Sequence, residues 1–253
     1  MTTMEIRSPF SVAGKHVLVT GASSGLGRQA AIACAADGAT VLISGRDKDR
    51  LEQTHAQLSG SGHETILGDL ADDAIVSAVA NSARKFDGVV HCVGVSVPMP
   101  MRMVTKEFLL RLFGTNVFIP LLLTQRLLAK GRVNKNGSIL FLSSSAACRG
   151  VHGMATYSGT KSALIAATRC IALETARHGI RVNCLAPDLV ETPMLDGSGA
   201  LMPTTEWLDA QRKIHPLGLG TPSDVANAAI YFLSDASRWV TGTTLIMDGG
   251  ITY

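Results

Sequence analysis

Tyr157 and Lys161 are the residues whose types and spacing most directly suggest chemistry in this sequence. They are four positions apart in a helical pattern, so their side chains share one face of the predicted helix. A phenol is a poor acid–base catalyst at its ordinary pKa of about 10, but a neighbouring ammonium favours the phenolate. A pKa nearer the working pH suits a group that gives a proton to a carbonyl oxygen. The same pair also occurs on ordinary surface helices, so the surroundings of the pair decide whether it is catalytic.

Ser144 ends the predicted strand that precedes this helix. In a parallel α/β sheet the carboxyl ends of the strands border the ligand crevice, so a hydroxyl there lies at the edge where substrates bind. Such a hydroxyl can polarise the carbonyl oxygen that Tyr157 protonates. Ser143 and Ser145 flank it with the same side chain.

The segment TGASSGLG, residues 20–27, runs from a predicted strand directly into a helix. Glycines permit the tight turn and let the backbone approach a pyrophosphate, while the N-terminus of the following helix stabilises the anion. Three residues and then one separate the glycines, which differs from the standard G-x-G-x-x-G fingerprint. A glycine trio also occurs in ordinary strand–helix loops. Together with Tyr157 and Lys161, the turn predicts a nicotinamide-dependent oxidoreductase, in which an oxidised nicotinamide would further favour the phenolate.

The end of the second predicted strand reads Ser44-Gly45-Arg46-Asp47. Enzymes that use NAD place a carboxylate here for the adenosine ribose, whereas a cation suits the 2′-phosphate of NADP. Gly45 stands where the acid is expected and Arg46 follows it, which favours NADP and leaves NAD possible. The opposing interpretation is that Arg46 is simply part of a solvated helix start and that Asp47 offsets its charge.

Short apolar runs alternate with amphipathic helical patterns along the chain. This alternation predicts an α/β fold, a doubly wound parallel sheet with right-handed crossovers. We expect a single Rossmann domain over residues 1–253, with a substrate flap at about residues 188–216 that contains a short helix near residues 204–213. The predicted strands are 16–21, 40–45, one ending near 69, 89–94, 138–144, 180–187 and 243–250; the predicted helices are 26–37, 47–58, 72–85, 105–131, 155–178 and 222–233.

Composition narrows the class of protein. The 253 residues are 46% hydrophobic and 17% charged, with a net charge of +3 and five scattered cysteines. This supports a large core and gives no argument for a nucleic-acid or membrane partner. The first residues lack the apolar region of a signal peptide, and no apolar run approaches the roughly 20 residues of a membrane span. We therefore expect a reduced, cytoplasmic protein without a metal.

The glycine turn, Ser144, the Tyr157-Ser-Gly-Thr-Lys161 motif and the glycine-rich end together resemble the short-chain dehydrogenase/reductase family over nearly the whole chain. The resemblance extends to its β-ketoacyl-acyl carrier protein reductase-like members. It implies a seven-stranded sheet in the order 3-2-1-4-5-6-7 and hydride transfer between a nicotinamide and a carbonyl or alcohol carbon. It also implies that residues 239–253 pack against a neighbouring subunit in a homotetramer.

The resemblance assigns roles to particular residues. Tyr157 would be the general acid/base, Lys161 would lower its pKa and bind the nicotinamide ribose, and Asn116 would hold a water in the proton relay. The family's offset of thirteen residues to the tyrosine selects Ser144 as the group that orients the substrate oxygen. The implied cofactor-binding set comprises Gly21, Ser23, Ser24, Gly25, Leu26, Gly27, Arg46, Asp69, Leu70, Gly94, Tyr157, Lys161, Pro187, Val190 and Thr192.

Two positions depart from the family pattern. His91-Cys92-Val93-Gly94 replaces the usual Asn-Asn-Ala-Gly, and we expect His91 to be a core or supporting histidine rather than a catalyst. Asp188 stands where the family has glycine, which makes it either a specificity residue near the nicotinamide or a tolerated turn residue.

The sequence leaves the substrate open. Two segments, 95–103 and 194–215, are expected to roof the carbonyl site, and Arg149 and His152 could reach its mouth or simply be exposed. The leading hypothesis is a small-molecule ketone reductase or alcohol oxidase; the alternatives are a 3-oxoacyl-acyl carrier protein reductase, a sugar-precursor oxidoreductase and a non-catalytic nucleotide-binding protein. The expected apolar wall consists of Met99, Met101, Met103, Met194, Leu195, Met202 and Trp207.

Overall fold

The computed structural model describes residues 8–192 and 204–252. Its centre is a sheet of seven parallel strands in the order β3-β2-β1-β4-β5-β6-β7, which confirms the predicted fold and strand order. The strands are β1 (His16–Thr20), β2 (Thr40–Gly45), β3 (Glu64–Leu67), β4 (Phe86–His91), β5 (Val133–Leu142), β6 (Arg181–Pro187) and β7 (Thr244–Met247).

Helices cover both faces of the sheet. One core contains buried residues of α1, α2 and α8, and the other contains buried residues of α3, α5 and α6. The helices are α1 (Gly25–Ala36), α2 (Lys48–His55), α3 (Asp73–Ala80), α4 (Lys106–Phe113), α5 (Ile119–Ala129), α6 (Ala155–Thr175), α7 (Thr205–Ile214) and α8 (Pro222–Leu233).

The strand β1 shows why the central strands are apolar throughout. Val17 and Val19 pack into the first core, and Leu18 between them packs into the second. Successive side chains of a strand point to opposite faces, so a strand covered on both sides needs an apolar residue at every position. The parallel register aligns Thr20 with the last part of β2 and with His91 of β4, so the strand ends form one carboxyl edge.

Several element boundaries differ from the predictions. Strand β4 begins at Phe86 rather than at residue 89, and β5 begins at Val133 rather than at residue 138. The Asn-Gly pair of β5 keeps its turn character: Asn136 has a φ of +62°, and the β4–β5 register shifts between Phe86 and Gly88, so pairing resumes beyond a local bulge. Helix α3 ends at Ala80, five residues early, and the chain turns there to enter β4.

The predicted helix at 105–131 is interrupted. Between α4 and α5 lies a π-helical turn, Gly114–Phe118, in which the Ile119 N–H bonds to the Gly114 carbonyl five residues earlier. Pro120 has no N–H, so the Asn116 carbonyl lacks its α-helical donor, and the irregular turn accommodates this loss. The whole stretch Lys106–Ala129 is long and apolar enough to cross a membrane by length and composition alone, yet Ile119, Leu123 and Leu127 of its C-terminal half belong to the second core.

The predicted flap is described only in part. Helix α7 (Thr205–Ile214) confirms the short helix expected near 204–213, and the Thr204 side chain caps its N-terminus. Residues 193–203, which include Met194, Leu195 and Met202 of the expected apolar wall, lie outside the described residues.

Candidate active site

The glycine turn between β1 and α1 leaves no room for side chains at two positions. A Cβ on Gly21 would lie 2.9 Å from the backbone of Cys92 and Val93, and the φ of Gly21 is +66°. A Cβ on Gly27 would overlap the carbonyl oxygen of Gly21. These glycines let the start of α1 pack against the turn and the end of β4, and they keep the surface of the turn open to a ligand.

The N-terminus of α1 is available to an anion. Ser24, its N-cap residue, makes no side-chain capping hydrogen bond, and the first turn contains no acidic residue. The free N–H groups and the positive end of the helix dipole therefore face the cavity without a competing carboxylate.

Arg28 and Thr54, whose roles the sequence did not indicate, hold this turn through hydrogen bonds. Arg28 Nη2 donates to the Ser23 carbonyl at 2.6 Å, and Arg28 Nε donates to Thr54 Oγ1 at 2.9 Å. Thr54 Oγ1 in turn donates to the Ala22 carbonyl at 2.8 Å. These bonds join α1 and α2 to the turn and fix its conformation, and no sequence motif signals them because the partners are up to 32 residues apart.

The carboxyl end of β2 is the predicted adenosine side of the site. A Cβ on Gly45 would overlap Ser23 Oγ, which is buried and has no hydrogen-bond partner. Arg46 Nη1 lies 3.3 Å from Asp69 Oδ2, and both side chains are substantially exposed. Asp47 accepts from the Arg50 N–H as the cap of α2 and lies 3.3 Å from Arg50 Nε. Asp47 is thus engaged with Arg50 rather than with Arg46.

Lys161 lies next to Tyr157 on α6, beneath the end of β5. Its Nζ is 5.8 Å from the centre of the Tyr157 ring and donates to the Leu142 carbonyl at 2.8 Å. Lys161 is 5% exposed. Ser144 lies two residues beyond the end of β5 at Leu142, and its side chain accepts from the Ala146 N–H to cap a short 3₁₀ turn, Ser145–Ala147. The structure therefore brings Ser144, Tyr157 and Lys161 to one place at the carboxyl edge.

Burial shifts the two ionisable groups of this set in opposite directions. Desolvation raises the pKa of Tyr157 to about 12, although hydrogen bonding by Ser144 acts to lower it and the Asp188 carboxylate acts to raise it. Desolvation lowers the pKa of Lys161 to about 8. Both shifts favour the neutral forms, as burial does for any ionisable group. In the protein alone the phenol is therefore protonated at neutral pH.

Asn116 occupies the π-helical turn and is fully buried. Its Oδ1 accepts from the Val95 N–H at 2.8 Å, and its Nδ2 donates to the Val95 carbonyl at 2.9 Å and to Thr160 Oγ1 at 3.1 Å. The side chain thus joins the loop after β4 to α6. Unlike the other predicted site residues, Asn116 does not line the cavity at the carboxyl edge of the sheet.

A cavity of about 1740 Å³ runs along the carboxyl edge. Thr192 lies across it from the glycine turn, since a Cβ on Gly25 would be 3.7 Å from the Thr192 side chain. Val190 forms a parallel bridge with Gly220 that holds this segment in place. The predicted residues that line the cavity are Gly21, Ser23, Ser24, Gly25, Leu26, Gly27, Arg46, Asp69, Leu70, Gly94, Ser144, Tyr157, Lys161, Pro187, Val190 and Thr192.

The cavity fits an extended dinucleotide. Along the carboxyl edge, the glycine turn after β1 lies between the end of β2, with Arg46, and the end of β5, with Ser144, Tyr157 and Lys161 nearby. Among residues 8–192 and 204–252, no group of three or more His, Cys, Asp or Glu is arranged to hold a metal ion.

Known proteins of this architecture are similar over nearly the whole chain. A family model described as enoyl-(acyl carrier protein) reductase matches residues 21–252. L-xylulose reductase from Cavia porcellus is 32% identical over 249 residues, 95% of this chain and 98% of the relative. 3-oxoacyl-[acyl-carrier-protein] reductase from Chlamydia pneumoniae is 31% identical over 251 residues, 96% of this chain and 99% of the relative. The chain belongs to the short-chain dehydrogenase/reductase family.

Solved structures agree with this membership. A putative NAD(P)-dependent gluconate 5-dehydrogenase from Beutenbergia cavernae, with bound NADP, has a TM-score of 0.87 and 30% identity over 97% of this chain and 99% of that chain. A putative short-chain alcohol dehydrogenase from Sinorhizobium meliloti has a TM-score of 0.88 and 28% identity, covering 97% and 99%. This short-chain dehydrogenase/reductase is an NAD(P)-dependent oxidoreductase that acts on alcohol and carbonyl groups.

The departure at β4 has a structural role in this dehydrogenase/reductase. His91 is 3% exposed, its Nε2 lies 2.9 Å from Thr124 Oγ1, and its ring stacks on Phe141. Burial lowers the pKa of His91 to about 3, so the imidazole is neutral. His91 joins β4 to α5 and takes no part in the cavity lining among the described residues.

The second departure, Asp188, is paired. Its Oδ2 accepts from Arg149 Nη2 at 2.7 Å, and both residues line the cavity.

The expected methionine wall is wrong for Met99, Met101 and Met103. None of the three lines the cavity, and Met101 and Met103, which lie in a short 3₁₀ turn, are exposed. The described apolar wall includes Val151, Met154, Trp207 and Ile214.

Proposed function

We propose that this enzyme reduces a ketone with NADPH and that Tyr157, Ser144 and Lys161 carry out the chemistry. The observation that supports the proposal is the convergence of these three side chains in the cavity that the glycine turn also lines. A protein that only bound nucleotide would have no physical need for a buried lysine beside a buried phenol, because burying an ammonium is costly.

The proposed chemistry is a proton transfer matched to a hydride transfer. The bound nicotinamide supplies the hydride. The Ser144 hydroxyl donates a hydrogen bond to the substrate oxygen, and Tyr157 gives its proton to that oxygen as negative charge develops. The Lys161 ammonium lies 5.8 Å from the centre of the phenol ring and stabilises the phenolate that results.

We propose that Asn116 supports reprotonation of Tyr157. The Pro120 ring removes the N–H that would bond the Asn116 carbonyl in a regular helix. That carbonyl is then suited to hold a water that passes protons toward Lys161. The Asn116 side chain meanwhile bonds to Val95 and Thr160, and this fixes the loop after β4 against α6.

The proposed preference for NADPH depends on the end of β2. Gly45 provides no carboxylate for a ribose, and the Asp47 carboxylate is engaged with Arg50. Arg46 is exposed at the edge of the cavity and is free to move from Asp69 toward a phosphate, since an exposed ion pair is weak. A guanidinium can then bind the 2′-phosphate through two N–H groups.

Arg46→Ala tests this preference. We expect KM for NADPH to rise roughly 10- to 100-fold, because the variant loses the charge-assisted hydrogen bonds to one phosphate. KM for NADH should change little, because NADH lacks that phosphate. Initial rates with both cofactors provide the measurement. Lys48→Ala is the matched control, because Lys48 carries the same charge and faces Glu52 along α2. Equal effects of Arg46→Ala on both cofactors would remove Arg46 as the determinant.

A parallel screen of cofactors and substrates tests the proposed function as a whole. The panel contains simple ketones, ketoses, acetoacetyl thioesters and secondary alcohols, each assayed with NADPH and NADH. Ketoses are included because D-erythrulose reductase from Gallus gallus is 34% identical over 249 residues, and thioesters because of the acyl-carrier-protein reductase. We expect ketone-dependent oxidation of NADPH. Cofactor binding without turnover of any compound would contradict the proposal.

We further propose a homotetramer in the cytoplasm. Leu173 on α6 and Trp239 before β7 are 82% and 91% exposed, and their apolar surface is available for subunit contacts. The five cysteines are all free, which suits a reducing compartment. Light scattering should give four times the mass of the chain, and a monomer mass at micromolar concentration would exclude the tetramer.

A further inference from the structure

Arg149 and Asp188 form an ion pair on the substrate side of the cavity. Arg149 follows the short turn after Ser144, and Asp188 follows the last residue of β6. The Arg149 side chain is 30% exposed and that of Asp188 is 9% exposed. The pair therefore lies where the carboxyl edge borders the site of Ser144 and Tyr157, and the arginine is its more accessible member.

The neighbourhood of this pair contains two orphaned polar atoms. Arg149 Nε is buried without an acceptor, and His215 Nε2 is buried without a partner. His215 Nδ1 lies 2.7 Å from the Gln211 carbonyl, which only accepts, so Nδ1 carries the proton. His215 Nε2 is 3.8 Å from Asp188 Oδ2, beyond hydrogen-bond distance. The described protein groups therefore leave Arg149 Nε and His215 Nε2 without hydrogen-bond partners.

Charge is distributed unevenly along the described part of the cavity. Asp47, Asp69 and Asp73 lie at its adenosine end, whereas Asp188 is the only acidic residue among the described lining residues at the substrate end. The cations Arg149 and Lys161 line the substrate end. Since Asp188 neutralises one cation at most, the balance there favours an anionic group on the substrate.

We propose that Arg149 binds a carboxylate carried by the substrate, and that Asp188 positions its guanidinium for this purpose. The preferred substrates are then oxo acids, or hydroxy acids in the reverse direction, so this inference rests on the proposed carbonyl reduction. Asp188 occupies one Nη2 hydrogen-bond position and leaves further N–H groups of a planar fork that matches carboxylate geometry. The substrate carboxylate binds at Arg149 while its carbonyl oxygen lies at Ser144 and Tyr157.

Matched acids and esters test the inference. Acetoacetate and levulinate are each assayed with NADPH beside their methyl esters. We expect wild-type kcat/KM to favour the acids, and Arg149→Gln to reduce this preference roughly 10- to 100-fold through KM of the acid. The control is Arg169→Gln, which removes the same charge from an exposed residue of α6 and should leave the preference intact.

A second variant and a second measurement keep the outcome clear. Arg149→Gln leaves the shielded Asp188 carboxylate unpaired, which can destabilise the fold. The double variant Arg149→Gln/Asp188→Asn removes both charges and avoids this unpaired carboxylate. Calorimetry of the same acids and esters with the NADP⁺ complex reads binding without turnover. Acids that bind no tighter than their esters, or variants that weaken both equally, would overturn the inference. If acids bind more tightly through Arg149 but no compound is reduced, the inference stands and the proposed function fails.

Discussion

Tyr157→Phe is expected to lower kcat for ketone reduction by roughly 100- to 10,000-fold while NADPH still binds. The substitution removes only the hydroxyl that gives the proton, and the ring that packs beside Lys161 remains. In the protein alone the pKa of Tyr157 is about 12, so the wild-type phenol holds its proton at neutral pH and is ready to donate it. Steady-state rates measure kcat, and NADPH fluorescence measures binding.

Tyr231→Phe is the matched control for this prediction. Tyr231 lies on α8, where its ring contacts Phe10 and Phe232, and it does not line the cavity. We expect it to keep wild-type kcat. If Tyr157→Phe reduced ketones within threefold of wild type, Tyr157 would not be the proton donor. If it lost NADPH binding as well, its role would be structural.

Lys161→Met is expected to lower the reduction rate by roughly 100- to 1,000-fold. Methionine is similar in length, so it fills the buried space of Lys161 without supplying the ammonium beside the phenol ring. Without that charge, only the Ser144 hydrogen bond opposes the desolvation that raises the pKa of Tyr157, so the phenolate left by proton transfer is less stable.

The pH profile separates this electrostatic role from a packing role. Burial lowers the pKa of Lys161 to about 8, so the ammonium is present below that pH and is lost above it. Wild-type reduction should therefore decline as the pH rises through about 8, while the phenol, with a pKa of about 12, stays protonated. The decline should be absent from the residual rate of Lys161→Met. Lys106→Met, an exposed change at the start of α4, should keep it. An unchanged decline in Lys161→Met would exclude Lys161 as its source.

The sequence alone determined the fold class and the composition of the site. Strands such as β1 are apolar at every position because both faces are covered, and this pattern is visible without coordinates. The glycine turn and the Tyr157/Lys161 pair are local, since short spacing along one helix or turn fixes the relative positions of their residues. The helix starts at Asp47 and Asp72 are local as well, because a capping side chain reaches only the next few N–H groups.

Tertiary structure decided the features that depend on residues distant in sequence. The Arg149–Asp188 pair joins residues 39 apart, and the Arg28–Thr54 bond joins residues 26 apart. The pKa shifts of Tyr157 and Lys161 arise from burial, which no spacing reveals. Pro120 is a local feature that favours the π-helical turn, but its effect depends on how the helix continues and packs. Such contacts form only when the whole sheet brings its carboxyl edge together, so the sequence named the catalytic candidates and the fold supplied their surroundings.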